Sequence, residues 1–386
     1  MSEPATYFDV IICGAGPAGS TCALALADSG LRVALIDKAD FPRDKVCGDA
    51  VAAYARKVLH TIHPRFALAF DNFSSGYRVN TYRVFGPNGA HIDVTSPEYG
   101  LIARRYDWDH FLFRLASEQS HVTCLLNHSV RDVSLDLEKG EVRINTNQGG
   151  FVSKMIVGCD GAHSIVGKKL AGTSRDLNHH SGAVRAYYRN VAGLAEQTFE
   201  LHFLDQILPG YFWIFPLRDG MANVGMGALS SHVSKRKIKL RELLRSTIEH
   251  HPFIRNRFAH AEMMGEVEGF GLPLGSRKVK MSGDHFMLCG DAASLIDPVT
   301  GEGIGPAMVS GRYAGWHVKN CFDAKNFSAD FMGAYDRQVY GKFWRKHQRS
   351  YFVQRQIVTR PKLINGLIGV ASKSHMARTA LARLLT

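Results

Sequence analysis

Gly14-Ala15-Gly16-Pro17-Ala18-Gly19, followed about twenty residues later by Asp37, combines residue types that have a definite chemical use. The first glycine permits a tight turn after a strand, the second lets backbone approach a pyrophosphate, and the third lets the next helix pack close to the sheet. Such a helix points its positive end at phosphate, and a carboxylate at position 37 can accept hydrogen bonds from ribose hydroxyls. The pattern predicts a bound dinucleotide and leaves the substrate open. Cys13, Cys22, Cys159 and Cys289 lie in or beside apolar runs and read as small buried hydrophobes, whereas Cys47 stands in a polar loop, Pro42-Arg43-Asp44-Lys45-Val46-Cys47-Gly48. Tyr211, Trp213 and Phe215 alternate within Pro209-Gly210-Tyr211-Phe212-Trp213-Ile214-Phe215-Pro216, so a strand there turns all three to one face.

The elements that must position these residues follow from the hydrophobic pattern. A strand over Phe8 to Cys13, a helix over Ser20 to Ser29 and a strand over Leu31 to Ile36 carry the glycine loop. A helix is expected from near Val51, antiparallel strands over Tyr77 to Val94, and a helix over Trp108 to Glu118. Strands over Val122 to Leu126, Val130 to Leu135, Val142 to Thr146 and Phe151 to Cys159 lead to Asp160-Gly161. The pattern is β-like from Ala183 to Met226, and a charged helix follows from Lys235 to His250. A strand over Phe286 to Cys289 delivers Gly290-Asp291, and Gly301-Glu302-Gly303-Ile304-Gly305 opens a helix through Trp316. The chain therefore reads as mixed α/β, with a nucleotide domain built from 1–75, 100–175 and 275–325. An antiparallel domain would come from 76–99 and 176–274, and a helical segment from 326–386.

The 386 residues allow two cores, and a hydrophobic content of 45% is ordinary for a soluble globular protein. No basic-then-apolar leader precedes the first strand and no run is long enough to span a membrane, so a cytoplasmic location is expected. Seven cysteines without a C-x-x-C pair argue against a disulfide framework and against a structural zinc site. The net charge of +12 is concentrated at the end: from Arg337 onward there are eleven Lys plus Arg and no Asp or Glu. Phe343, Trp344, Tyr351, Phe352, Leu363, Ile364, Leu367, Ile368 and the last leucines lie between these cations, a composition suited to peripheral contact with anionic lipid. Packing on its own protein with a solvated basic face is the alternative. Nucleic acid is not expected, because no recognition motif accompanies the charge.

The ordered set of glycine loop, Asp37-Lys38, Arg43-x-Lys45-x-Cys47-Gly48, Arg105-x-x-Trp108-Asp109, Asp160-Gly161, Gly290-Asp291 and Gly301-Glu302-Gly303-Ile304 resembles the FAD-dependent oxidoreductases of the aromatic-hydroxylase fold. Within that group, Tyr211-x-Trp213-x-Phe215-Pro216 is similar to the signature of the geranylgeranyl reductases. The resemblance implies a discontinuous Rossmann-like FAD-binding domain beside an antiparallel substrate sheet. It places Gly14, Gly16, Pro17, Ala18, Gly19, Asp37, Lys38, Cys47, Gly48, Ala50, Arg105, Val130, Asp160, Gly161, Gly290, Asp291, Gly303 and Ile304 on FAD. Arg105 would bridge phosphate and ribityl oxygens, Asp291 would hold ribityl hydroxyls, and the helix opening at Gly303 would face the pyrimidine edge of the flavin. Pro209, Gly210, Tyr211, Trp213 and Phe215 would line an apolar cavity beside the ring.

The reaction implied is reduction of carbon-carbon double bonds in an isoprenoid or similar apolar chain, with Cys47 and Tyr211 as the acids. No second dinucleotide loop is present, so NADPH would visit transiently, with a ferredoxin or quinol as other donors. An aromatic monooxygenase on the same fold is the runner-up, and a non-catalytic flavin and lipid-binding redox protein a third reading. Halogenation is disfavoured, since no lysine lies between Lys57 and Lys139. The chain departs from the family at Asp49, where glycine is common, and at Gly167, where arginine is usual.

Overall fold

The computed structural model describes residues 6–374 and 376–379; Leu381, Arg383, Leu384 and Leu385 of the basic tail lie outside the described residues. Two sheets organise the chain, each of eight strands among the described residues. In the first, Phe286–Leu288, Gly149–Gly158, Thr6–Cys13, Val33–Ile36 and Val122–Leu125 run parallel. The apolar runs of the central strands are buried on both faces, as a parallel sheet covered by helices requires, while the edge strand Val122–Leu125 is half-buried. The antiparallel pair Val130–Asp136 and Glu141–Thr146 extends it through Gly149–Gly158.

Helices Pro17–Ala25 and Ile304–Ala324 lie against each other and the sheet. Gly311 and Gly315 allow this contact: a Cβ at Gly311 would meet the Ala18 carbonyl oxygen at 2.1 Å, and one at Gly315 the Cys22 carbonyl oxygen at 2.7 Å. The first helix begins three residues earlier than expected because Pro17 suits its first turn.

The second sheet runs in the order Glu262–Pro273, His180–Arg189, Met221–Leu229, Gly210–Pro216, Thr198–His202, Tyr77–Phe85, His91–Ile102 and Ala50–Val51. Its pairs are antiparallel except Thr198–His202 with Tyr77–Phe85. Alternation along Gly210–Pro216 sends Trp213 and Phe215 to one core and Phe212 and Ile214 to another.

Two expectations are corrected. The helix expected near Val51 begins at Ala55, because Ala50–Val51 is a short strand paired with the end of His91–Ile102. The charged helix expected from Lys235 is split into Ser230–Lys235 and Leu240–His250, with Lys237 left-handed at the break. The tail forms Ala329–Gln356 and Pro361–Lys373. The second of these buries Ile364, Ile368 and Ala371 against the core that holds Trp213 and Phe215.

Candidate active site

One cavity of about 870 Å³ opens between the two sheets, and it gathers the residues singled out in the sequence. Gly14, Gly16, Pro17 and Ala18 line it, with Asp37 and Lys38 after the second strand. Asp37 is buried; Oδ2 accepts from the Ala15 N–H at 2.8 Å and Oδ1 from the Ala39 N–H at 3.0 Å, so this carboxylate holds the glycine loop open. Gly19 lies behind the lining: a Cβ there would sit 1.8 Å from the Gly14 carbonyl oxygen. Gly14 has φ +99°, and its Cβ would meet the Cys159 carbonyl oxygen at 2.3 Å. Both positions therefore exclude any side chain.

Arg105 opens the helix Arg105–Ser117 and is almost fully buried. Its Nε and Nη2 each donate to Asp109 at 2.6 Å, and Arg43 donates to the same carboxylate at 2.9 Å. Although burial pushes the Asp109 carboxyl up, the Arg105 and Arg43 guanidiniums favour its charged form and leave it below the usual carboxylate value. The two guanidiniums thereby sit close to Gly16, within 3.4 and 4.0 Å of where a Cβ there would stand.

Cys47 lies half-buried in the same wall, beside the Arg105 guanidinium. Burial pushes its thiol up, against the opposing pull of Arg105, so it holds its proton at neutral pH. Lys45 bridges to Asp291 Oδ2 at 3.2 Å and leaves Oδ1 turned toward Gly303. Gly48, Ala50, Val130, Asp160, Gly161, Gly290, Gly303 and Ile304 also line the cavity. Asp160 spends its oxygens locally, accepting from Ser164 Oγ and from the Ile165 and Val166 N–H groups, which shapes the turn. Gly167 is buried against Thr173 and Ser164, and a Cβ there would come 2.8 Å from the Thr173 hydroxyl.

Pro209, Gly210, Tyr211, Trp213 and Phe215 line the same cavity from the second sheet and its lead-in. Successive ring centroids from Tyr211 to Trp213 and from Trp213 to Phe215 are 6.0 Å apart, forming a continuous aromatic wall. Gly225 makes room for the indole, since its Cβ would come 2.3 Å from Trp213 Cζ2. Trp213 Nε1 donates to Asn223 Oδ1 at 2.9 Å, which satisfies the one polar atom of the wall's central ring. The Tyr211 hydroxyl donates to the Thr300 carbonyl, and burial pushes its pKa well up. It ties the wall to the turn that precedes Gly303.

Sequence reasoning passed over Arg185, Tyr187 and Gln354, and met Asp49 only as a departure from the family pattern. Arg185 lines the cavity between Asp44 at 2.6 Å and Glu268 at 2.7 Å. Gln354, from the tail helix, also lines it, and its Nε2 donates to the Pro298 carbonyl at 2.6 Å. Strand alternation could have suggested Arg185, which shares a strand face with Tyr187; nothing in the local sequence announces Gln354.

The residues present fit FAD. Both helix starts facing the cavity, at Gly16 and Gly303, lack a side-chain cap, leaving backbone N–H groups for a ligand's oxygens. One of these starts sits beside two arginines and a glycine surface that no Cβ obstructs. The fold and this site define an FAD-binding flavoprotein. The model of the FAD-binding domain family matches residues 7–325, and the chain belongs to that family, with FAD as its cofactor.

Among its relatives, a digeranylgeranylglycerophospholipid reductase from Thermoplasma volcanium is 27% identical over 98% of this chain and 95% of its own length. A menaquinone reductase from Mycobacterium tuberculosis is 33% identical over 79% of this chain and 75% of its own. The crystal structure of a geranylgeranyl bacteriochlorophyll reductase-like protein from Thermoplasma acidophilum superposes with a TM-score of 0.84 at 25% identity, covering 98% of this chain and 96% of that one. A halogenase mutant in complex with FAD gives 0.76 at 17% identity, over 97% of this chain and 86% of its own, a likeness of fold alone.

Proposed function

We propose that this protein reduces carbon-carbon double bonds in an isoprenoid or similar apolar chain. The observation that carries the reading is the aromatic wall of Tyr211, Trp213 and Phe215, set in the same cavity as the glycine loop and Cys47. A wall of that kind holds a chain by contact area and asks nothing of it in hydrogen bonds. The relatives named as reductases of prenylated lipids and of menaquinone support this substrate class. On this reading the parallel sheet carries the cofactor and the antiparallel sheet carries the substrate.

Reduced FAD supplies a hydride to one alkene carbon when bound. This chain's residues do the rest. Trp213 and Phe215 fix the chain, Arg105, Arg43 and Asp37 hold the cofactor's polar groups, and Cys47 delivers a proton to the second carbon. Cys47 suits that role because burial keeps the thiol protonated. Tyr211 is the second acid in reach, but its proton is already engaged with Thr300.

The test is anaerobic incubation of the reduced holoprotein with prenyl diphosphates, prenylated lipids and menaquinones. Products should gain two hydrogens per reduced bond. A product that forms only with oxygen and carries an oxygen atom would overturn the assignment in favour of a monooxygenase.

The substrate class also bears on location. No helix among the described residues is long and apolar enough to cross a membrane. The tail helix Pro361–Lys373 exposes Leu363, Leu367 and Val370 as a stripe beside its buried face, and Lys362 and Lys373 flank that stripe. These features support peripheral contact of the tail with an anionic bilayer, from which a lipid substrate would be drawn.

A further inference from the structure

Asp49 occupies a position where the resembling family commonly has glycine, and its backbone explains that preference: φ is +65°, in the left-handed region. Asp tolerates this conformation better than most residues, so it brings a side chain where glycine brings none. That side chain is fully buried. Its Oδ2 accepts from the Tyr187 hydroxyl at 2.9 Å and from Asn223 Nδ2 at 2.8 Å. Asn223 Nδ2 also donates to the Cys47 carbonyl at 2.8 Å, and Asn223 Oδ1 receives the Trp213 indole N–H. Every hydrogen-bonding group of Asn223's amide is thus committed to joining the Cys47 loop with the aromatic wall. Gly48 rests on that wall directly, since a Cβ there would come 3.3 Å from Phe215. The Asp49 carbonyl accepts from the Ala103 N–H at 2.9 Å, two residues before Arg105. Asp49 itself does not line the cavity.

We propose that Asp49 is a positioning residue: by holding Asn223 and Tyr187 it fixes Cys47 against the Trp213 wall, and so sets the distance between acid and substrate. The clamp stands on the structure alone; its consequence for turnover rests on the reductase reading above. The charged groups that face it are Arg185, whose guanidinium lies 4.3 Å from the Tyr187 ring centroid, and Asp44, which is paired with Arg185. Cys47 and Tyr187 are the other titratable neighbours.

The test reads the position of Cys47 without any substrate. The FAD-loaded protein is alkylated with iodoacetamide at one pH, and the rate at Cys47 is followed by peptide mass spectrometry. Asp49→Gly suits the left-handed backbone and removes both accepted bonds, so Cys47 should react about tenfold faster. Asp49→Asn keeps an acceptor oxygen and should stay within about twofold of the parent. Tyr187→Phe removes one donor with its ring retained, Trp213→Phe removes one donor together with part of the indole, and each should raise the rate about threefold. In the double variant Asp49→Gly/Trp213→Phe the rate should equal that of Asp49→Gly alone, because both changes break one linkage. Should Asp49→Gly fail to retain FAD, Tyr187→Phe and Trp213→Phe carry the same test.

Parental rates in Asp49→Gly and Tyr187→Phe, or independent multiplication of the Asp49 and Trp213 effects, would overturn the clamp. In turnover with a prenylated chain, Asp49→Gly should lower kcat with KM little changed, and Asp49→Asn should restore it. If alkylation behaves as stated while the parent reduces no alkene, the reductase reading fails and the clamp survives.

Discussion

Ser350 donates its hydroxyl to Asp297 Oδ2 at 2.8 Å, and both residues are buried. Asp297 Oδ1 in turn accepts the N–H groups of Val299 and Thr300, at 2.9 and 3.0 Å, in the turn that ends at Gly303. The tail helix that carries Ser350 also supplies Gln354 to Pro298. Part of the basic segment beyond the family match is therefore scaffold for the cofactor helix. Ser350 and Gln354 face in, and Lys346 reaches Glu302 of the same turn.

Ser350→Ala should remove that support without leaving a void. The buried Asp297 Oδ2 loses its donor, at a cost of about 1–3 kcal/mol in stability. Thermal unfolding should register the loss, and equilibrium dialysis should show weaker FAD retention. Unchanged values for both would mean that the turn at Asp297 holds its shape without the tail.

Gly19→Ala and Gly225→Ala should fail in different ways. At Gly19 the Cβ collides with the Gly14 carbonyl oxygen, so the glycine loop must move and FAD should be lost. At Gly225 it collides with the Trp213 ring and the Val184 carbonyl, so the aromatic wall must shift while the glycine loop stays intact. FAD absorbance should vanish in the first variant and persist in the second, with substrate turnover lost in both. Gly341→Ala, where φ is not positive and a Cβ meets nothing within 4 Å, is a control for the substitution alone.

The nucleotide half of this site was legible because its chemistry is local. Gly14 to Gly19 and Asp37 form one strand-turn-helix-strand unit whose spacing alone carries the reading. The three alternating aromatics were legible for the same reason, since strand alternation needs no tertiary information. Asp49 was visible only as a departure from a pattern. Its meaning depends on Tyr187 and Asn223, which reach it from distant strands, and on a backbone angle that composition does not encode. Gln354 and Ser350 were unreadable because a long basic helix looks alike whether it floats or docks. The helix expected at Val51 failed because Ala50 and Val51 complete a sheet edge, a pairing set by the far end of His91–Ile102.

Asp49 also makes a prediction about pH. Burial pushes its carboxyl up to about 7, above the ordinary carboxylate value of the unfolded chain. Between these two values the folded state holds a proton that the unfolded state has lost, so stability falls as pH rises from about 4 to about 7 and is then level. The change attributable to this group is about 3–4 kcal/mol. Asp49→Asn cannot titrate, so its stability relative to the parent should improve by that amount between pH 4 and pH 8 when unfolding is followed at saturating FAD. A constant difference between the two proteins across that range would mean that Asp49 keeps an ordinary carboxylate pKa.

The exposed stripe on Pro361–Lys373 yields the last prediction. At about 3.6 residues per turn, Leu363, Leu367 and Val370 fall on one line, with the buried Ile364, Ile368 and Ala371 on one side and Lys362 and Lys373 on the other. A stripe whose only task was to cover the core would not carry a second apolar line in water, and solvent gives such a line no compensation. Seated on a bilayer, the leucines enter the acyl boundary while the lysines meet anionic headgroups. Leu367→Glu with Val370→Glu should abolish sedimentation with vesicles rich in phosphatidylserine and leave FAD binding untouched, since neither side chain is buried. Binding of the parent should weaken steeply as salt rises, because each lysine near the surface contributes about 1 kcal/mol that ions screen. Equal sedimentation of parent and variant, or binding indifferent to both salt and lipid charge, would assign this stripe to some other partner.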